Sequence, residues 1–319
     1  MESIAHKKRY LQHELTTKIH AVKLYRKERD IQFVCRRYHI SKASLMRWNK
    51  LYDGTDESLV PKSHRPKTAH PNAHTEEELN WIRNLHRRNP EISVCEMYGK
   101  LRDEKGYNRH PGSLYRVFIR EGYRAKTTST KEKSRHLGKY DTPTKLGVKW
   151  QMDVKYVPKA CYVGKDDEKF YQYTVIEEAS RKRFIYAYKE QSSYSTVDFV
   201  KRAIAYFGYA PLIIQTDNGN EFSYTAKTKR KHPLDIFCAE HNIIHKTIRP
   251  RTPWHNGKVE RSHRSDQERF YNHLKFYSFE DLQLQMKRYL YRSNKIPMSV
   301  LGWKSPNEKQ RELERAAIC

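Results

Sequence analysis

From residue 148 onward, short runs rich in Tyr, Val, Ile and Phe alternate with helical stretches, and this order constrains the fold more than any other feature of the chain. Segments 148–157, 170–177 and 183–188 read as three successive strands. A helix over 195–207, a short buried strand over 211–216, a helix near 234–241 and a strand over 243–248 follow. Two helices, about 256–274 and 279–293, close the pattern. Three strands followed by alternation predict a mixed sheet with helices on both faces. Two acids then stand where charge is costly. Asp153 lies inside the first strand, and Asp217 directly follows the apolar run 212–216. An ionised group at the end of a buried strand needs compensation. In open α/β sheets the strand ends are where ligands bind. A third acid, Glu260, falls in the first turns of the helix that opens near Asn256.

The first half of the chain is helical by periodicity. Ile19, Val22, Leu24 and Tyr25 form one stripe; Phe33, Val34 and Tyr38 form a second; Leu45, Met46, Trp48 and Leu51 form a third. Asp30 and Ser41 stand where caps of the second and third helices belong. Helix, short turn and capped helix make the helix-turn-helix pattern, whose last helix lies in the DNA major groove. Lys42, Ser44, Arg47 and Lys50 are the residues expected to face DNA. The alternative is a small helical bundle that binds another protein. We read residues 1–55 as this domain and 56–74, punctuated by Pro61, Pro66 and Pro71, as a linker. A second three-helix unit occupies 75–123, opened by the capping box Thr75-Glu76-Glu77-Glu78, with Ser93 and Pro111 opening its later helices. It reads as another helix-turn-helix, or as a purely structural module. Residues 124–147 carry Lys126, Lys131, Lys133, Arg135 and Lys139 and read as a basic linker able to lie along phosphates.

Charge agrees with a polyanionic partner. There are 63 Lys and Arg against 37 Asp and Glu, a formal net charge of +26. Nucleic acid is the first candidate and an anionic membrane surface the second. The five cysteines stand at no C-x-x-C spacing, which argues against a zinc site and for reduced thiols. The opening residues lack the apolar segment of a secretory leader, and no stretch reaches the roughly 18 apolar residues of a membrane span. The expected location is the bacterial cytoplasm, with the nucleoid.

The order Asp153, then Asp217-Asn218-Gly219-Asn220-Glu221-Phe222, then His255-Asn256-Gly257-Lys258-Val259-Glu260-Arg261 resembles the catalytic core of DDE transposases of bacterial insertion sequences, a core shared with retroviral integrases. Tyr291-Arg292-Ser293-Asn294 and Lys304-Ser305-Pro306-Asn307-Glu308 resemble the tail of that core. The resemblance implies a ribonuclease H-like α/β core over 148–319, preceded by all-α helix-turn-helix modules. It implies that Asp153, Asp217 and Glu260 hold two Mg²⁺ (or Mn²⁺) ions, and that water and then a DNA 3′-hydroxyl attack phosphorus. Two hard cations held by carboxylates suit such an in-line displacement. The implied partner is double-stranded DNA, both transposon ends and target, bound by a homo-oligomer. Lys155, Lys258 and Arg261 are candidate phosphate contacts, against the alternative of a solvated basic face. His255 is expected near the scissile phosphate, against the alternative of a structural histidine. Two other readings stand beside the transposase: a transposase-derived repressor that binds DNA without catalysis, and a nuclease that cuts without joining.

The sequence departs from the family pattern in two places. The gap of 42 residues between Asp217 and Glu260 is long. We assign the excess to 223–233, a basic surface loop with Lys227, Lys229, Arg230 and Lys231. Glu177-Glu178 also precedes Ser180-Arg181 where relatives carry Asp; neither glutamate is assigned to catalysis, and Glu221 is read as serving local structure.

Overall fold

The computed structural model describes residues 13–62, 68, 70–124, 142–164, 168–224, 230–249 and 253–318. Most of the basic linker, including Lys126, Lys131, Lys133, Arg135 and Lys139, lies outside the described residues, as do Lys227 and Lys229. The chain divides into two compact units, Met1–His74 and Thr75–Cys319.

The first unit is built from α1 (Leu15–Glu28), α2 (Ile31–Tyr38) and α3 (Lys42–Leu51). Asp30 and Ser41 cap α2 and α3 by accepting from the Phe33 and Ser44 amides at 3.0 and 3.1 Å. Arg29 and His39 turn the chain between helices in the left-handed region, at φ 59° and 51°. Ala21, Val22, Val34, Ile40, Leu45 and Trp48 fill the core. Leu59, in a short 3-10 turn at Asp56–Leu59, joins them, so the segment read as linker contributes to this core. Phe33, Met46 and Leu51, read as core-facing, are exposed.

The second unit opens with α4 (Glu76–Arg88), α5 (Val94–Lys105) and α6 (Pro111–Arg120). Thr75 and Glu78 form the capping box. Glu78 also takes the Arg109 guanidinium on both oxygens, at 2.7 and 2.8 Å. The sheet follows: β1 (Lys149–Tyr156), β2 (Tyr171–Glu177), β3 (Arg183–Tyr188), β4 (Ile213–Thr216) and β5 (Ile244–Thr247), in spatial order β3-β2-β1-β4-β5. The first three strands are antiparallel; β4 runs parallel to β1, and β5 parallel to β4. Helices α7 (Ser193–Phe207), α8 (Pro233–Glu240), α9 (Gly257–Arg269), α10 (Phe279–Ser293) and α11 (Pro306–Ile318) complete the unit. This is the mixed sheet flanked by helices expected of a ribonuclease H-like core.

Alternation along β1 decides what each face of the sheet can hold. Trp150 and Met152 enter a core with Tyr173, Val175 and Ile214, against Phe199 and Phe207 of α7 and Leu234 and Phe237 of α8. Burying an aromatic or large aliphatic side chain of this kind stabilises by about 1.5–3 kcal/mol. The intervening residues, Gln151 and Asp153, share the opposite face with Gln172 and Thr174 of β2, which lie beneath α9. Near the sheet edge the same side becomes apolar, where Ile185 and Ala187 meet Leu282, Met286 and Leu290 of α10. A buried polar face must have its hydrogen bonds met. On this side of the sheet, α9 meets them.

The final helix, α11, is absent from the periodicity reading. Its signal was nevertheless present: Ser305-Pro306-Asn307-Glu308 is a capping box with Pro at the first position. Ser305 N donates to Glu308 at 2.6 Å, and Glu308 N donates to the Ser305 hydroxyl at 3.3 Å. The tail motifs also bind α5. Arg292 Nε lies 2.8 Å from Glu96. Arg102 reaches the Trp303 carbonyl at 3.1 Å and Glu308 at 2.8 Å. A Cβ on Gly99 would stand 2.9 Å from the Pro297 ring. Asn294 brackets edge strand β3, accepting from Arg183 N at 3.2 Å and donating to Arg183 O at 2.8 Å.

Candidate active site

Asp153, Asp217 and Glu260 lie on three different elements of the larger unit. Asp153 is within β1, Asp217 immediately follows the adjacent parallel strand β4, and Glu260 is in the first turn of α9. Asp153 Oδ1 accepts from the Val154 amide at 2.8 Å. Burial and the nearby charge of Asp217, with smaller contributions from Glu260 and Glu221, push its carboxyl up to about 7. Proximity of like charges has this effect on any carboxylate kept from water. Asp153 is therefore within electrostatic reach of both Asp217 and Glu260. Among the described residues, no three His, Cys, Asp or Glu side chains already stand together as a metal-binding group. The donor set nevertheless fits a hard divalent cation: carboxylate oxygens with an unneutralised concentration of negative charge.

The loop after β4 is shaped by its own side chains. Asp217 Oδ1 accepts from the Gly219 amide at 3.0 Å, and Asn218 donates to the Ile248 carbonyl at 2.9 Å. The Asp217 carbonyl takes the Thr216 hydroxyl at 2.8 Å. That hydroxyl lies 2.9 Å from His245, which is 2.6 Å from Asp235. Glu221 folds over Gly219, where a Cβ would lie 2.6 Å from its carboxylate, and accepts from Gln191 at 2.5 Å.

Helix α9 is held to the polar face along its length. Gln151 and Gln215 both donate to the His255 carbonyl, at 3.0 and 2.7 Å. Asn256 is buried and donates to the Met152 carbonyl at 3.2 Å. His263 places Nε2 3.0 Å from Thr174 and Nδ1 3.4 Å from Asp153 Oδ2. Burial drives its imidazole down to about 4, so near neutral pH it meets Asp153 uncharged. Farther along, Asp266 is fully buried and accepts from Arg183 at 2.5 Å, Gln172 at 2.8 Å and Tyr289 at 2.9 Å.

The basic residues singled out from the sequence divide into two groups. Lys42, Arg47 and Lys50 are exposed on α3. Ser44 is not available to DNA there: it is buried, and its hydroxyl is 3.0 Å from that of Ser41. Its position one turn from the cap turns it into the bundle. In the core, Arg261 is exposed. Lys258 instead turns inward to Glu178, a fully buried carboxylate. Burial lowers its ammonium to about 8, although Glu178 opposes the shift. Lys155 lies 4.4 Å from the Tyr271 ring centre, and burial lowers its pKa as well. His255 is part-buried and contributes its main-chain carbonyl to the contacts of Gln151 and Gln215. Glu177, also fully buried, accepts from the Trp150 indole at 2.8 Å. Gln151, Gln215, His263, Asp266 and Arg183 were not found by sequence reasoning. Only the glutamines left a trace, as Gln151-Met152-Asp153 and Gln215-Thr216-Asp217 repeat Gln-x-Asp.

Comparison with known proteins finds an integrase core in this part of the chain. The integrase core domain family matches residues 143–253, and a second integrase core family matches 241–306, together just over half of the chain. Over 151 residues the chain is 36% identical to the ORF3 product of Spiroplasma virus SpV1-C74, which is named as an integrase. That match covers 44% of this chain and 41% of the viral protein, so the chain spans less than half the length of this relative. Solved structures with similarity include the catalytic core domain of BIV integrase, at 22% identity and TM-score 0.41, covering 54% of this chain and 99% of that one. The HTLV-2 integrase catalytic core domain in complex with magnesium matches at 22% identity and TM-score 0.35, covering 51% and 94%. A chain of the simian T-cell lymphotropic virus intasome, solved with the PP2A regulatory subunit B56 gamma, matches at 15% identity and TM-score 0.41, covering 70% and 72%. With its integrase core spanning residues 143–306, the chain belongs to the DDE transposase and integrase family.

Proposed function

We propose that this protein is a DNA transposase that binds the ends of its element and carries out metal-dependent cleavage and strand transfer. The observation that carries the reading is the placement of three carboxylates: Asp153 in β1, Asp217 at the end of the adjacent parallel strand β4, and Glu260 in the first turn of α9, the helix whose start is hydrogen-bonded to both strands through Gln151 and Gln215. Such a concentration of anionic oxygens is costly unless a cation completes it. Asp153, Asp217 and Glu260 would hold Mg²⁺ or Mn²⁺, two ions per site. When bound, the ions stabilise the attacking and leaving oxygens of an in-line displacement at phosphorus. The protein's own part is to supply the oxygens, fix their spacing through the sheet and α9, and hold DNA. Neutral His263 beside Asp153 leaves that carboxylate free of a competing cation. Exposed Lys42, Arg47 and Lys50 on α3, and Arg261 on α9, meet DNA phosphates and base edges, with affinity falling as salt rises. Two ends must be handled together, which favours a homo-oligomer on double-stranded DNA.

The test is a plasmid strand-transfer assay with pre-cut ends and Mg²⁺ or Mn²⁺, with Asp153→Ala as control. Joined product from the wild type and none from the variant supports the proposal. Cleavage without joining would favour a nuclease, and DNA binding without either reaction would favour a repressor. Among the described residues no helix is long and apolar enough to cross a membrane.

A further inference from the structure

We infer that Gln151 and Gln215 form a paired amide clamp that sets the position of Glu260 relative to Asp153 and Asp217; the inference rests on the proposed role of those acids. The two glutamines are register partners on the parallel strands β1 and β4, and each precedes its acid by two residues. Residues two apart on a strand share a face, so Gln151 and Asp153 project from the same side of β1. Both glutamines are buried, at 1% and 7% exposure. Their side-chain amides converge on one atom, the His255 carbonyl oxygen, at 3.0 and 2.7 Å. A carbonyl has two lone pairs, and this one spends both on the sheet.

Gln151 does more. Its Oε1 accepts from the amides of Lys258 and Val259 at 3.1 and 3.3 Å, and its Nε2 also donates to Glu178 at 2.8 Å. The first amides of a helix have no partner within the helix and require one outside it. Asn256, at the cap position of α9, makes no side-chain cap. Gln151 therefore caps α9 from the neighbouring strand. Glu178 ties Gln151 to Lys258 from behind. Glu260 follows Val259 directly, so its backbone is referred to β1 and β4 through two rigid amide planes. Those are the strands that present Asp153 and Asp217. The three acids do not stand together as a metal-binding group in this structure, so the place of α9 governs how near Glu260 comes to a cation shared with Asp153 and Asp217.

The experiment compares wild type, Gln215→Met, Gln151→Met and Asp153→Asn as full chains. Mn²⁺ affinity is measured by electron paramagnetic resonance, thermal stability by calorimetry, and metal-free affinity for linear duplex DNA by anisotropy. Methionine keeps the length of glutamine but cannot donate. Gln215→Met is expected to melt within about 3 °C of wild type, to keep its metal-free DNA affinity, and to bind Mn²⁺ about tenfold more weakly or worse, since small misplacements at such sites have large effects. Gln151→Met should lose at least as much Mn²⁺ affinity, and should also lose stability because it uncaps α9. If that variant does not fold, Gln215→Met alone decides. Mn²⁺ binding by Gln215→Met within about twofold of wild type, while Asp153→Asn loses it, overturns the clamp and leaves the proposed function standing. A large fall in melting temperature for Gln215→Met would mark the residue as merely structural and overturn the clamp as well. Equal Mn²⁺ binding by wild type and Asp153→Asn would instead sink the reading of the acids, and the clamp with it.

Discussion

Replacing Asp266 by Asn should destabilise the larger unit more than any conservative change on its surface. Asp266 is fully buried, and its carboxylate accepts from Arg183, Gln172 and Tyr289 at 2.5, 2.8 and 2.9 Å. Asparagine keeps the volume but leaves the Arg183 guanidinium, itself buried, without its counter-charge. Removing one partner of a buried ion pair costs about 3–5 kcal/mol. For a unit of this size each kcal/mol lowers the melting temperature by about 2–4 °C, so the expected fall is about 6–20 °C. Calorimetry of the full chain, following the transition of the larger unit, measures it. The double variant Arg183→Met, Asp266→Leu removes both charges and should recover most of the loss. The pH dependence has a definite sign. Burial pushes the Asp266 carboxyl up, but Arg183 and the hydrogen bond from Gln172 outweigh it and hold it below its ordinary value. A depressed folded value means that the stabilisation is complete above the unfolded value and is lost as pH falls through the folded one. Wild type and Asp266→Asn should therefore differ by a constant amount from about pH 5 to 8 and converge only in stronger acid. A single-variant loss below about 1 kcal/mol, or a double variant as unstable as the sum of the singles, would refute the reasoning. The consequence reaches the candidate site, because Asp266 is on the helix that carries Glu260.

Further outcomes follow from other parts of the molecule. Burial and like charge raise the folded Asp153 carboxyl to about 7, so stability is lost as pH rises through that value; without metal, Asp153→Asn should be about 2–4 kcal/mol more stable than wild type at pH 8 and nearly equal to it near pH 4. Denaturant melts at the two pH values check this, and added Mn²⁺ at pH 8 should narrow the gap by stabilising the wild type alone. Arg47→Ala and Lys50→Ala should each weaken duplex binding, and a residue that contacts phosphate should reduce the salt slope by about one; Ser44→Ala should leave the salt slope unchanged. Gly99→Val drives a side chain into Pro297 and should cost about 1–3 kcal/mol by overpacking the contact between α5 and the tail, as read from urea unfolding of the larger unit. Ser305→Ala removes the cap of α11 and should cost about 1 kcal/mol.

Local information was enough for much of this protein. The segment 148–157 read as a strand from its own residues. Asp30, Ser41, Thr75 and Ser93 announced their helices because a cap acts within four residues of itself. The three acids could be assigned to a strand, a strand end and a first helical turn for the same reason. Side-chain direction across the fold was a different matter. Nothing in the spacing says that Ser44 turns into its bundle, that Lys258 turns to Glu178, or that His263 meets Asp153 as a neutral ring. The convergence of Gln151 and Gln215 on the His255 carbonyl spans residues 104 and 40 positions apart. Hydrophobic period and capping are properties of neighbours along the chain, so sequence alone determined which elements form and which acids they carry. The satisfaction of a buried polar face depends on which elements the sheet brings together, and only the tertiary structure decided that.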